Sequence, residues 1–75
     1  MKKAFEQKLL VMILRDTRKI FSSDNSITEN YYDAWCYVNQ IIDTVADNAS
    51  QWLLNDLYSL RDEHQYKYLY YKGLI

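Results

Sequence analysis

Histidine and cysteine, two residue types that often carry out catalysis, occur once each in this chain of 75 residues, as His64 and Cys36. A single histidine cannot supply the paired imidazoles of a metal site or a second imidazole base. Cys36 has no Lys, Arg or His next to it in sequence, which an activated thiolate needs. Gly73 is the only glycine, so a glycine-rich phosphate loop is missing. We therefore predict no enzyme, with no catalytic residue, metal ion or cofactor.

Carboxylates occur in two pairs, Glu29 with Asp33 and Asp43 with Asp47. The members of each pair are four residues apart, so on a helix they share one face and repel each other by roughly 0.2–0.5 kcal/mol. This spacing allows two interpretations. The pairs form a solvated acidic face that the basic first segment partly neutralises, or the face binds a basic partner such as a DNA-binding protein, with carboxylates in place of phosphates.

The charges are unevenly distributed, although the net charge is only −1. Residues 1–21 have four more basic than acidic side chains, whereas residues 22–60 have six acidic side chains and no Lys or Arg. On a helical wheel four cations of the first segment fall within an arc of about 100°; these are Lys8, Arg15, Arg18 and Lys19. They could bind nucleic-acid phosphates weakly, but the acidic remainder would repel a polyanion, so nucleic acid is the less favoured partner.

Apolar residues recur at the spacing of three and four residues that is typical of helices. One glycine and no proline leave little material for the tight turns of β-structure. In the first helix the apolar side lies opposite the cations and consists of Phe5, Leu9, Leu10, Met12, Ile13, Leu14, Ile20 and Phe21. The sequence predicts an all-α fold in a single domain, residues 1–75, with helices over about 3–21, 27–47 and 49–72.

Several residues indicate where these helices begin and end. Ser26 and Glu29 have the spacing of a capping box, in which each side chain bonds a free amide of the first turn. Asn48 and Gln51 offer a second, weaker box after a break near residue 47. Gly73 fits the left-handed position that follows many helices.

Two alternatives to this assignment remain open. Without a break at residues 47–50, the second and third helices would form one helix of more than 40 residues. Tyr66, Tyr68 and Tyr70 also alternate with the period of a strand, so the C-terminal segment could be a short strand.

Aromatic residues make up 16% of the chain, with eight Tyr, two Trp and two Phe. A core of this size cannot hold twelve rings. Tyr31, Trp35, Trp52 and Tyr68 fit the inward phase, whereas most of Tyr32, Tyr37, Tyr66 and Tyr70 do not. Because tyrosine is enriched where proteins bind one another, we interpret the surplus as an interface; scattered surface positions and stacking on single-stranded bases are the alternatives.

The predicted architecture is a small three-helix domain, a helical hairpin plus a third helix, that completes its core by forming a homodimer. A chain this short seldom buries enough apolar surface alone. No apolar run is long enough to span a membrane, and the free Cys36 fits a reducing compartment. We therefore expect a cytoplasmic protein.

The predicted function is protein binding. Small size without a catalytic set resembles phage and mobile-element inhibitors, so the favoured hypothesis is a module that binds a larger host protein and blocks it sterically, at a surface that could handle DNA. The alternatives are a structural homo-oligomer or assembly subunit, and a weak nucleic-acid-binding protein that uses the basic arc. The predicted partner-binding residues are Glu29, Asp33, Tyr37, Asp43, Asp47, Tyr66 and Tyr70.

Overall fold

Three α-helices account for most of the structure, a computed structural model that describes residues 2–75. Helix α1 spans Lys3–Phe21, α2 spans Ile27–Val45 and α3 spans Gln51–Lys72. The predicted all-α fold is confirmed. Residues 46–50 separate α2 from α3, so the alternative of one long helix is wrong. The tyrosines of the C-terminal segment lie within α3, so the alternative of a strand is wrong as well.

Two of the predicted helix ends are confirmed in atomic detail. The Ser26 side chain accepts a hydrogen bond from the backbone N–H of Glu29, with an N···O distance of 3.1 Å. At the C-terminus of α3, Gly73 has φ 82°. The N–H of Gly73 donates to the Tyr70 carbonyl and that of Leu74 to the Leu69 carbonyl, which together form a Schellman motif.

The helices run antiparallel in sequence order. Tyr31, near the start of α2, stacks on Tyr71, near the end of α3, with ring centroids 5.7 Å apart. Phe21, at the end of α1, meets the same Tyr31 edge-on at 4.8 Å. The Cα atoms extend over 39 × 24 × 15 Å. The arrangement is an up-down-up bundle in which α2 and α3 form the closest pair.

The core lies mainly between α2 and α3, with a smaller contribution from α1. Its buried apolar cluster consists of Ile13, Val38, Ile42, Val45, Leu53 and Leu57. Only Ile13 of this cluster comes from α1. Leu9 and Leu10 of α1 are half-buried and pack against the cluster, and polar contacts add to this attachment.

The N-terminus of α3 provides the main polar contact of α1. The Glu6 side chain is fully buried, and its carboxylate accepts two hydrogen bonds from Ser50, one from the backbone N–H and one from the hydroxyl, each 2.7 Å long. Ser50 is the residue that precedes α3, so the prediction of Asn48 in that position is wrong. A carboxylate at a helix N-terminus satisfies free amides and interacts favourably with the helix dipole.

The same contact changes the pKa of the Glu6 carboxyl. The Ser50 backbone N–H, and then the Ser50 hydroxyl, lower the pKa of the Glu6 carboxyl below its ordinary value of 4.5, against an opposing effect of burial. Because the ionised form is the one that Ser50 binds, the contact stabilises the fold above about pH 4.5 and is lost as the pH falls through the pKa of the folded state.

We predict that Ser50→Ala lowers the free energy of unfolding by about 1–2 kcal/mol, because it removes a hydrogen bond to a buried charge. Urea denaturation at neutral pH measures this change. Ser59→Ala is the matched control, since Ser59 is an exposed residue inside the same helix, and we expect it to leave stability within about 0.5 kcal/mol. Equal effects of the two substitutions would contradict a stabilising role of the hydrogen bond from the Ser50 hydroxyl to Glu6.

Candidate interaction surfaces

The two residues with catalytic potential lie in different environments. His64 is buried in α3 between Phe21 and Tyr31, with ring centroids 5.7 and 6.1 Å away. Neither of its ring nitrogens has a hydrogen-bond partner among the described residues. Cys36 lies half-buried on α2, and its contact with Tyr32 raises the pKa of the Tyr32 hydroxyl. Within residues 2–75 no three His, Cys, Asp or Glu side chains are grouped so that they could hold a metal ion.

Burial lowers the pKa of His64 below its ordinary value of 6.5, and the nearby Glu63 opposes this effect. The folded state therefore resists protonation of a histidine that the unfolded state protonates readily. Protons then favour unfolding as the pH falls below about 6.5.

We predict that the free energy of unfolding decreases as the pH is lowered from 7.5 to 5.5, where no carboxyl with an ordinary pKa yet takes up protons. The His64→Phe variant keeps an aromatic ring in the cluster and should lose this dependence. Urea denaturation of both proteins across the range measures the effect. A slope that persists in the variant would show that His64 is not its source.

The predicted carboxylates form a single acidic ridge, defined as Glu29, Asp33, Asp43 and Asp47. All four side chains are exposed along the outward face of α2 and directly after its end. Glu29 and Asp43 are 14 residues apart within α2, which corresponds to about 21 Å of helix, and Asp47 follows in the turn after the helix. Among residues 2–75 the single ion pair joins the neighbours Arg61 and Asp62, at 3.0 Å. The cations of α1 therefore form no ion pair with the ridge.

Two members of the ridge lie where their charge is unfavourable. Asp43 is in the last turn of α2 and Asp47 follows it, and that last turn contains no basic residue. Negative charge at a helix C-terminus opposes the helix dipole. Asp43 and Asp47 therefore lower the stability of α2.

We predict that the double variant Asp43→Asn, Asp47→Asn is more stable than the natural protein by about 0.3–1 kcal/mol per site at low salt. Glu29→Gln is the comparison, because Glu29 lies in the first turn of α2, where negative charge is favourable, and its neutralisation should not stabilise. Thermal unfolding at low and high salt measures both. A loss of stability in the double variant would contradict this account of the ridge.

The tyrosines predicted to bind a partner do not lie on the ridge. The Tyr37 hydroxyl donates to Asp16 of α1 over 2.7 Å, and burial, together with this carboxylate, raises the pKa of Tyr37 to about 12. Tyr66 and Tyr70 are each 57% exposed. Each is two residues from Tyr68, which contacts α2, so they point about 200° away from it. The structure thus groups the four acids and separates the three tyrosines from them.

A different aromatic group borders the ridge, which the sequence did not single out. Tyr32, Trp35 and Tyr68 have ring centroids within 6 Å of one another. Beside them is a cleft of about 380 Å³, whose lining residues are Thr28, Glu29, Tyr32, Asp33, Tyr68 and Lys72. The Lys72 ammonium lies 5.7 Å from the centre of the Tyr68 ring. The cleft therefore combines carboxylates with ring faces, both of which attract cations.

The second candidate surface is the outer face of α1, defined as the side opposite Ile13. Its cations are Lys8, Arg15, Arg18 and Lys19, all exposed. Val11 lies in the middle of these cations and is 65% exposed, a feature that the sequence analysis missed. A shallow groove of about 570 Å³ runs along this face, lined by Ala4, Gln7, Lys8, Val11, Met12 and Arg15.

The predicted apolar side of α1 is only partly covered. Phe5, Met12 and Leu14 are 57%, 48% and 42% exposed, whereas the residues around Ile13 pack against the hairpin. The physical reason is that Glu6, Ile13 and Thr17 occupy the inward positions. The apolar side of α1 is wider than the strip that the α2–α3 hairpin covers, so the residues at both of its edges are exposed to solvent.

Comparison of the chain with protein-family models, curated proteins and solved structures finds no match. No helix in residues 2–75 has both the length and the apolar character needed to cross a membrane. The fold and its surfaces define a three-helix bundle with an acidic face on α2 and a basic, partly apolar face on α1.

Proposed function

We propose that the protein is a non-enzymatic interaction module that binds a larger host protein and blocks it sterically. The acidic ridge meets a basic surface of that partner, such as one that handles DNA. One observation carries the proposal: four exposed carboxylates lie on one helix face without an ion-pairing cation. At Asp43 and Asp47 these charges oppose the helix dipole.

The ridge would act mainly on association. Carboxylates spread over more than about 20 Å along α2 attract a basic surface from a distance and orient it before contact. Tyr32 is 45% exposed at the end of the ridge and would supply an aromatic anchor. Tyr66 and Tyr70 would extend binding only to a partner that also reaches the far side of α3. A small inhibitor of the phage or mobile-element type acts in this way.

The test compares two tagged variants in capture from a nuclease-treated bacterial lysate, analysed by mass spectrometry. One variant neutralises the ridge with Glu29→Gln, Asp33→Asn, Asp43→Asn and Asp47→Asn. The other removes the same amount of charge elsewhere with Asp24→Asn, Asp56→Asn, Asp62→Asn and Glu63→Gln. All eight positions are exposed.

We expect the natural protein and the second variant to retain one host protein in stoichiometric amount, and the ridge variant to lose it. Binding to the purified partner should weaken at least tenfold on neutralising the ridge, and it should become less dependent on salt. Equal affinity and equal salt dependence of the two variants would refute the role of the ridge.

A second candidate, a structural homo-oligomer, is favoured by the exposed apolar residues of α1. Monomeric proteins seldom leave a large apolar patch uncovered. Phe5, Val11 and Met12 are exposed and would be covered by self-association. This candidate requires that the protein itself forms the contact, without a host partner.

A further inference from the structure

We infer that the outer face of α1 binds the acidic ridge of a second copy of this chain, head to tail. The two faces belong to different helices and point away from the shared core, because Ile13 of α1 and Val38 of α2 both point into it. One molecule can therefore present both faces at once. The inference does not depend on the existence of a host partner.

Charge complementarity identifies the occupant. The outer face of α1 has four cations and no acid among its exposed side chains between residues 3 and 21, whereas α2 has no Lys or Arg at all. No ion pair within residues 2–75 neutralises either face. A symmetric contact of α1 with α1 would instead bring Lys8, Arg15 and Arg18 against the same cations, which is repulsive.

One charge spacing is the same on the two faces. Helices α1 and α2 each contain 19 residues. Lys8 and Arg18 are ten residues apart on one face, and Asp33 and Asp43 are ten residues apart on the other. Each spacing corresponds to about 15 Å along a helix axis. Lys8 and Arg18 of one copy can therefore meet Asp33 and Asp43 of the other at the same time.

The cleft at the start of α2 suits a cationic side chain of the second copy. Glu29 and Asp33 offer carboxylates, and Tyr32 and Tyr68 offer ring faces, a combination that binds guanidinium groups well. Lys72 of the same chain already lies over the Tyr68 ring. A cation from outside would compete with it.

Contact between two different faces has a consequence for assembly. A pair joined by one such contact leaves one basic face and one acidic ridge free, so further copies can add until the chain closes into a ring or continues as a filament. The contact between two helix faces is small compared with a standard interface, and self-association should be weak and sensitive to salt. Because the ridge would be occupied, self-association would exclude a basic partner from it.

The experiment uses two neutralised variants. The first, termed α1-neutral, contains Lys8→Gln, Arg15→Gln and Arg18→Gln. The second, termed ridge-neutral, contains Glu29→Gln, Asp33→Asn, Asp43→Asn and Asp47→Asn. Sedimentation velocity and light scattering measure the mass of each alone and of the mixture, from roughly 10 μM to 1 mM protein. Circular dichroism shows that each variant is folded.

We expect the natural protein to grow beyond a dimer with rising concentration, and to return to its 9.1 kDa mass at about 0.5 M salt, where charges are screened. Each variant alone should remain a monomer. Their mixture should form a 1:1 complex and nothing larger, because each molecule keeps a single active face.

Adding Val11→Asn to the ridge-neutral variant is the control for attraction through net charge, because it leaves the charge unchanged. We expect it to abolish the 1:1 complex.

A natural protein that stays monomeric at 1 mM would overturn the inference. A mixture of the two variants that does not associate, or that associates equally well with Val11→Asn present, would overturn it as well. If a DNA duplex binds the α1 face of a monomeric protein, the occupant is a polyanion and the inference is wrong. A failure of self-association leaves capture of a host protein by the ridge to its own test, because that test measures a different partner.

Discussion

The buried contact between Glu6 and Ser50 is the interaction on which the rest of the structure depends. It joins residues 44 positions apart, with two hydrogen bonds of 2.7 Å to one carboxylate. The contact lies at the residue that precedes α3. The connection between α2 and α3 contains neither glycine nor proline, the residues that most often end a helix or form a turn. It also holds α1 on the hairpin, where the α1 contribution to the buried apolar cluster is a single residue, Ile13.

The same contact determines which side of α1 faces solvent. Because Glu6 points to Ser50, the residues about 180° around the helix must point outward, and these include Val11 and its neighbouring cations. The Tyr37 hydroxyl on Asp16 fixes the same rotation nearer the middle of the helix. The outward position of the basic face of α1 is thus a consequence of how its polar groups are buried, and this face forms no ion pair with the acidic face of α2 within residues 2–75. A bound partner of opposite charge would then reduce the repulsion between the like charges of each face.

Local signals were sufficient to predict much of the fold from the sequence. Apolar periodicity gave the three helices, Ser26 gave the start of α2, and Gly73 gave the end of α3. The ridge could also be predicted, because residues four apart on a helix share a face. Long-range contacts could not be predicted in this way. Glu6 follows two lysines and has the composition of an exposed position, and nothing local connects it with Ser50. For the same reason the sequence placed Phe5, Met12 and Leu14 on one apolar side without showing that the hairpin covers only its centre.

The most direct test of this account is an NMR titration of the Ser50 backbone amide with acid. We predict that its proton resonance lies downfield at neutral pH, as expected for a short bond to a carboxylate. It should move upfield with a midpoint below 4.5, following the lowered pKa of Glu6. The Glu6→Gln variant should show no such titration. A Ser50 amide that does not respond to acid, or that responds equally in the variant, would show that Glu6 does not hold α1 on the bundle. The assignment of the outward side of α1 would then be unsupported.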